Sequence, residues 1–228
     1  MNLNRPVPVV RRELEALGVR FARWVVVDDA ATAVEAADRI GYPVVAKIVS
    51  DVVVHKTDAG LVEVGIADAA ELREVLRRMK GQMRSLAGSP LSQILIEQMC
   101  AGERELLIGV RRDEVFGAVV IVGLGGVDVE IHDDISIRIA PITDADVREM
   151  FGELRSAPLL LGHRNRCPVD LDAVIPFVRA LVGHLEADDN IVDIEINPVI
   201  ARCNGDGAVA VDARITVIEP EDGVSSDS

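Results

Sequence analysis

Asp193-Ile194-Glu195-Ile196-Asn197-Pro198, answered by Ala208-Val209-Ala210-Val211-Asp212-Ala213-Arg214, is the stretch on which the fold turns. Both runs alternate apolar and polar residues, the period-2 pattern of half-buried strands. Between them stands Cys203-Asn204-Gly205-Asp206-Gly207. Asn-Gly is the strongest short hairpin signal, because both central positions of a type I′ turn need positive φ. A turn at Asn204-Gly205 sets Asn197 opposite Asp212 and Glu195 opposite Arg214. One face then carries Asp193, Glu195, Asn197 and Asp212, while Ile194, Ile196, Val209 and Val211 line the other. Gly205-Asp206-Gly207 leaves other loop registers open.

Two readings of that acidic face compete. A solvated sheet surface is the ordinary fate of such residues. Against it, three carboxylates and a carboxamide share a small area, and like charges side by side on a sheet repel. A hard cation such as Mg²⁺ relieves that repulsion, since it takes oxygen ligands, usually one or two carboxylates plus substrate phosphates. The pattern therefore directs the search toward phosphate-binding residues elsewhere in the chain.

A chain of 228 residues is long enough to bury a sizeable core. Its 49% apolar content with few aromatics makes that core one of Val, Ile, Leu and Ala. The net charge of −14 argues against nucleic acid or an anionic membrane as partner, so an anionic ligand must meet a local basic pocket. Cys100, Cys167 and Cys203 are odd in number, lack a CxxC spacing and read as reduced thiols. No basic-then-apolar leader opens the sequence, and no apolar run approaches a membrane span. The expectation is a soluble, cytoplasmic protein.

Further from the hairpin, Val9 to Leu17 reads as a helix stopped by Gly18, and Arg20–Val27 as a strand. Asp28 or Asp29 caps a second helix with Ala33, Val34, Ala37 and Ile40 inward, ended by Gly41. Strand Val44–Val49, a polar loop Ser50–Gly60 and strand Leu61–Ile66 follow. Asp68-Ala69-Ala70-Glu71 is a capping box opening a helix with Leu72, Val75, Leu76 and Met79 inward. Strands are expected at Ile94–Glu97, Arg104–Val110, Gly117–Val122 and Ile135–Ile139. Helices are expected after Thr143 and after Asp170 or Asp172, the latter with Val174, Phe177, Leu181 and Leu185 inward. The tail from Glu219 is acidic and Ser-rich, the composition of a disordered segment. Strand pairs mixed with helices favour α+β over a doubly wound sheet.

Several residues carry chemistry. Lys47 interrupts Pro43-Val44-Val45-Ala46-Lys47-Ile48-Val49, either as an edge-strand gatekeeper or as a fixed point charge for a phosphate. In the second role its charge lacks an anion when no ligand is bound, so Lys47→Met is expected to be tolerated. His55-Lys56-Thr57-Asp58 stands in a loop whose ordinary reading is solvated surface. Glu97, with Gln98 and Met99, ends an apolar run as a plain strand end or as a hinge whose backbone reads a base edge. Gly123-Leu124-Gly125-Gly126 is a turn able to approach phosphates closely, though no Gly-Lys-Ser/Thr follows to make it a P-loop. Arg138, on a mostly apolar strand, is more often a paired structural charge than a ligand.

Taken in order, these pieces resemble one family. Gly41-Tyr42-Pro43-Val44-Val45-Ala46-Lys47, Val54-His55-Lys56-Thr57-Asp58-Ala59-Gly60 and Ile96-Glu97-Gln98-Met99 carry the resemblance in the first half. Gly123-Leu124-Gly125-Gly126, Arg138-Ile139-Ala140-Pro141, Glu195-Ile196-Asn197-Pro198 and Val211-Asp212-Ala213-Arg214 carry it in the second. Over residues 7–216 the chain is similar to the ATP-grasp β subunit or domain of ADP-forming acetyl-CoA (acyl-CoA) synthetases, relatives of succinyl-CoA synthetase β.

The resemblance implies two α+β subdomains clasping MgATP, about 20–97 and 98–216, followed by the tail 217–228. It implies that Lys47 binds phosphate, that Glu97, Gln98 and Met99 form the adenine hinge, and that Glu105, Gly125 and Gly126 belong to the ATP/ADP site. Asn197 and Asp212 correspond to the Mg²⁺ ligands with Glu195 beside them, Arg138 to a residue steadying the phosphates, and His55 to a loop histidine that carries phosphate. The chain departs from the family at Leu61, where relatives usually have a second glycine, and at His163-Arg164-Asn165-Arg166-Cys167-Pro168. A CoA-binding Rossmann domain and the domain bearing the principal phosphohistidine are missing from the sequence. The implied partner is therefore an α subunit supplying both, in a hetero-oligomer, with no nucleic acid or membrane involved. Two other readings stay open, a stand-alone ATP-grasp carboxylate ligase and a nucleotide-sensing subunit without turnover.

Overall fold

The computed structural model describes residues 2–49, 60–87, 93–102, 104–126, 134–162 and 167–218. They divide into two units, one of residues 6–8 and 21–101, the other of residues 1–5, 9–20 and 102–228. Every strand pairing among the described residues is antiparallel, so the α+β expectation holds. His55 and the tail from Glu219 lie outside the described residues.

The unit of residues 21–101 is a four-stranded sheet under two helices. Its elements are β2 (Trp24–Val27), α2 (Ala30–Ile40), β3 (Val44–Val49), β4 (Val62–Ile66), α3 (Ala69–Ala87) and β5 (Gln93–Gln98). The sheet order is β2-β5-β3-β4. Asp29 caps α2 by accepting from the N–H groups of Ala31 and Thr32, and Gly41 closes it at φ +92°, where a glycine pays no Cβ penalty. Asp68 accepts from Ala70 and Glu71 N–H while Glu71 reaches back to Ala67 N–H, the reciprocal bonds that the Asp68–Glu71 spacing announces. Ala33, Val34, Ala37 and Ile40 of α2 and Leu72, Val75, Leu76 and Met79 of α3 bury against Val44, Ala46, Ile48, Ile94 and Ile96. Leu61 is fully buried in this same core. Strand alternation therefore turns Lys47 of β3 and Glu97 of β5 to the sheet face away from the helices.

The second unit is built on a seven-stranded sheet. Its strands are β1 (Asn2–Asn4), β6 (Arg104–Asp113), β7 (Gly117–Leu124), β8 (Ile135–Ile139), β9 (Ile191–Ala201), β10 (Ala208–Ala210) and β11 (Ala213–Ile218). They run in the order β1-β11-β9-β6-β7-β8, with β10 on β9. The helices are α1 (Val7–Ala16), α4 (Asp144–Glu153), α5 (Ala157–Leu160) and α6 (Leu171–Ala187). Thr143 opens α4 with a capping box to Asp146, and Asp170 caps α6. Ile108, Val110, Val120, Val122, Ile194 and Ile196 share one buried face of the sheet, and Val174, Phe177, Leu181 and Leu185 of α6 are buried too.

The hairpin of β9 with β10 and β11 has the register that the Asn-Gly signal implies. Asp206 N–H donates to Cys203 O across Asn204-Gly205, Arg214 pairs with Glu195, and Ala208 with Ala201. The returning strand is not continuous, however, and breaks between β10 and β11 at Val211-Asp212. The cause lies opposite, at Pro198. Val211 N–H donates to Pro198 O at 3.0 Å, but proline has no N–H with which to return the bond.

The expectation of three reduced thiols is corrected at two of them. Cys167 and Cys203 form a disulfide over a separation of 36 residues, and Cys100 is free. The turn brings them together, since Cys203 bridges to Val169 and Asn204 N–H donates to Pro168 O. The thiol argument for a reducing compartment thus loses its basis. Among the described residues no helix is long and apolar enough to cross a membrane.

Candidate functional site

In the second unit the site forms where the hairpin meets the end of β7. Asn197 N–H donates to Asp212 O at 3.1 Å, which sets Asn197 of β9 beside Asp212 in the break of the returning strand. Asn197 Oδ1 accepts the Gly126 N–H at 3.0 Å, and Gly125 N–H donates to Glu105 O at 2.7 Å. The glycines are required by space. A Cβ on Gly125 would stand 2.5 Å from the Leu106 backbone, and one on Gly126 would stand 1.9 Å from Glu105 Oε2. The turn thus lets a carboxylate and a carboxamide close over bare backbone. Glu105, Gly125, Gly126, Asn197 and Asp212 are brought together. The Gly126 N–H orients the Asn197 carboxamide.

The fit to magnesium rests on donor chemistry. Asp212 Oδ1 accepts its neighbour Ala213 N–H at 3.0 Å, and Asn197 Oδ1 keeps a second lone pair beyond Gly126. One carboxylate and one amide oxygen suit a hard cation that takes most of its remaining ligands from water and phosphate. Among the described residues no three His, Cys, Asp or Glu side chains gather to hold a metal by themselves.

The rest of the acidic face differs from expectation. Arg214 donates to Asp193 at 3.3 Å and to Glu195 at 3.2 Å, and Arg111 donates to Asp193 at 3.2 Å. The carboxylate repulsion inferred from sequence is therefore offset by two arginines, and it gives no argument for a cation at Glu195. The case for metal narrows to Asn197 and Asp212. Arg214 was legible from the register opposite Glu195, whereas Arg111 enters only through the pairing of β6 with β9.

Arg138 lies on β8. It pairs with Val120 on β7, on the sheet face opposite Glu195, and its guanidinium binds Glu153 and approaches Glu149 on α4. The hydrogen bond to Glu153 holds the Arg138 pKa above its ordinary value. The bond from Arg138, with a second from Ser136, holds the Glu153 carboxyl below its own. The ion pairs of Arg138 thus join β8 to α4.

In the other unit Lys47 and Glu97 meet. Their Nζ and Oε1 atoms lie 2.8 Å apart, with the Lys47 side chain 13% exposed and Glu97 fully buried. The sequence reading did not foresee the pair, because β3 and β5 are separated by α3. The N–H groups of Gln98 and Met99 go to Arg23 O and Pro43 O at 2.8 and 3.2 Å. A base edge read by this stretch would meet carbonyl oxygens or side chains.

The ATP-grasp domain profile matches residues 8–217. The β subunit of ADP-forming acetate–CoA ligase I of Pyrococcus furiosus is 38% identical over 93% of this chain and 92% of its own length. A crystal structure from Pyrococcus horikoshii superposes with a TM-score of 0.88 at 30% identity, covering 96% of this chain and 93% of that one. Acetyl-coenzyme A synthetase 1 of Candidatus Korarchaeum cryptofilum, solved with coenzyme A and Mg-AMPPCP, has its phosphohistidine segment pointing towards the nucleotide-binding site. It gives a TM-score of 0.78 at 32% identity, covering 94% of this chain and 93% of that one. Two α+β units, a glycine turn folded against Glu105 and Asn197, and this agreement over nearly the whole length place the chain in the ATP-grasp family, with the β subunits of ADP-forming acid–CoA ligases.

Proposed function

We propose that this chain is the nucleotide-binding half of an ADP-forming acyl-CoA synthetase. The reaction is acyl-CoA + ADP + phosphate ⇌ carboxylic acid + CoA + ATP. The observation that carries the reading is the convergence of Glu105, Gly125, Gly126, Asn197 and Asp212 in a chain of this family. Asn197 and Asp212 would hold Mg²⁺, which when bound neutralises and orients nucleotide phosphates. Lys47 supplies a fixed positive charge for phosphate, with Glu97 holding its ammonium in place. Glu97, Gln98 and Met99 serve as the adenine hinge. The protein acts by positioning and charge neutralisation, with little covalent chemistry of its own.

The covalent step falls to His55. Its neutral imidazole attacks the γ-phosphorus, a nitrogen–phosphorus bond forms, and the bond to the β-phosphate oxygen breaks to release ADP. Adjacent Lys56 favours the neutral, nucleophilic imidazole by opposing a second positive charge. The phosphoryl group then passes to an α subunit bearing the CoA-binding Rossmann domain and the principal histidine. The working state is a hetero-oligomer in the cytoplasm.

Reconstitution tests the assignment. The purified chain should bind MgATP in a calorimeter yet form no acyl-CoA from acid, CoA and ATP until the α subunit is added. Acyl-CoA synthesis by the chain alone would defeat the subunit reading.

A further inference from the structure

Three of the four phenylalanines of the chain, Phe21, Phe151 and Phe177, are buried, whereas Phe116 stands 58% exposed. It shares the loop between β6 and β7 with Val115, which is 82% exposed. Asp113 pairs with Gly117 across this hairpin, so Glu114-Val115-Phe116 is a three-residue loop, closed by Gly117 at φ +73°. Such loops ordinarily carry Gly, Asn, Asp or Ser, whose side chains suit a turn in water. A β-branched valine beside a phenylalanine does not, and at these exposures neither side chain packs in the core.

The loop is nonetheless held in one shape. Asp113 Oδ1 accepts the N–H groups of both Val115 and Phe116, at 2.8 and 2.9 Å. The same two bonds, that from Phe116 foremost, hold the Asp113 carboxyl below its ordinary pKa, so it is ionised at neutral pH. Exposed Glu114 adds a second carboxylate. Two apolar side chains are thus presented on a fixed backbone inside an acidic rim, and a fixed backbone loses little freedom when it is bound. The tip is also remote from the candidate nucleotide site. β7 runs from Gly117 to Leu124, about 25 Å at ordinary strand rise, and Gly125 and Gly126 follow at its far end.

We infer that the hairpin tip at 114–116 is a docking anchor for the α subunit, with Phe116 and Val115 entering an apolar pocket whose rim is basic. This partner rests on the reading of the chain as the nucleotide-binding half of a two-subunit enzyme. Charge disfavours a second copy in its place, because an acidic tip meets repulsion on a chain of net charge −14. An aromatic side chain sunk at the centre of an interface carries a large share of its affinity, while carboxylates at the rim speed the encounter with a basic surface.

The test is biolayer interferometry of wild type, Phe116→Ser, Val115→Ser and Glu114→Lys on immobilised α subunit. All three variants should keep the wild-type melting temperature and the wild-type calorimetric affinity for MgATP, since the side chains are exposed and far from the glycine turn. Phe116→Ser should weaken the complex at least about thirtyfold, mainly through faster dissociation. Val115→Ser should weaken it less. Glu114→Lys should slow association, and the wild-type association rate should fall as salt is raised. If wild type binds and Phe116→Ser binds equally well, the inference is overturned while the subunit reading stands. If wild type does not bind the α subunit at all, the subunit reading fails and the inference fails with it. Sedimentation of the chain alone covers the other occupant. A dimer that Phe116→Ser dissociates would put a second copy on the tip and overturn the assignment to the α subunit.

Discussion

Asp212→Asn should leave the fold intact and abolish the magnesium dependence of nucleotide binding. The substitution is isosteric, and the backbone bond from Asn197 N–H to Asp212 O does not involve the side chain. An amide oxygen can still accept the Ala213 N–H that the carboxylate now accepts at 3.0 Å. What disappears is the negative charge that the proposed Mg²⁺ site requires. We expect affinity for MgADP or MgATP to fall at least about a hundredfold, equivalent to about 2.7 kcal/mol. A ligand at about 100 times its dissociation constant stabilises the native state by about the same amount. The nucleotide-induced rise in melting temperature should accordingly vanish in the variant. An unchanged titration would remove Asp212 from the site.

Lys47→Met should be severely destabilising, the reverse of what the sequence alone suggests. Read in isolation, Lys47 is a cation in an apolar strand that lacks an anion, so its removal looks harmless. The structure sets it 2.8 Å from Glu97, whose side chain is wholly buried. Truncating one member of a buried pair withdraws its charge from the other, at a cost of about 3–5 kcal/mol. The expected result is a large fall in the urea midpoint at an unchanged slope. Replacing both residues, as Lys47→Met with Glu97→Leu, removes the buried charges together and should recover most of that stability. Neither variant should regain the nucleotide-dependent thermal shift. A single variant of wild-type stability would mean that the ion pair contributes nothing, and retention of the thermal shift would leave Lys47 with a structural role only.

How much of this the sequence disclosed depends on how far apart the partners lie along the chain. The hairpin register follows from neighbouring residues, namely the alternation in 193–198 and 208–214 and the Asn-Gly turn between them. The caps at Asp29, Asp68 and Thr143 are equally local, and they stand where the residue types call for them. What escaped the reading needs long-range pairing. Arg111 reaches Asp193 only because β6 lies beside β9, and Lys47 finds Glu97 only because β5 enters between β2 and β3. The Cys167–Cys203 bond is formed by a turn meeting the start of α6, which no spacing announces. The ion pair of Arg138 with Glu153 likewise needs α4 to lie beside β8. The break at Val211-Asp212 was in principle legible, because Pro198 opposite it could not complete the ladder.

Transfer of labelled phosphoryl shows whether His55 relays the phosphate from ATP. The chain and its α subunit are mixed with γ-labelled ATP and Mg²⁺, and acid-labile, base-stable label is followed on each polypeptide in time. Label should appear on this chain at His55 first and on the partner's histidine afterwards, with His55→Ala binding MgATP normally but passing no label onward. Labelling of the partner at the wild-type rate by His55→Ala would contradict the relay, and would place the transfer directly between ATP and the partner.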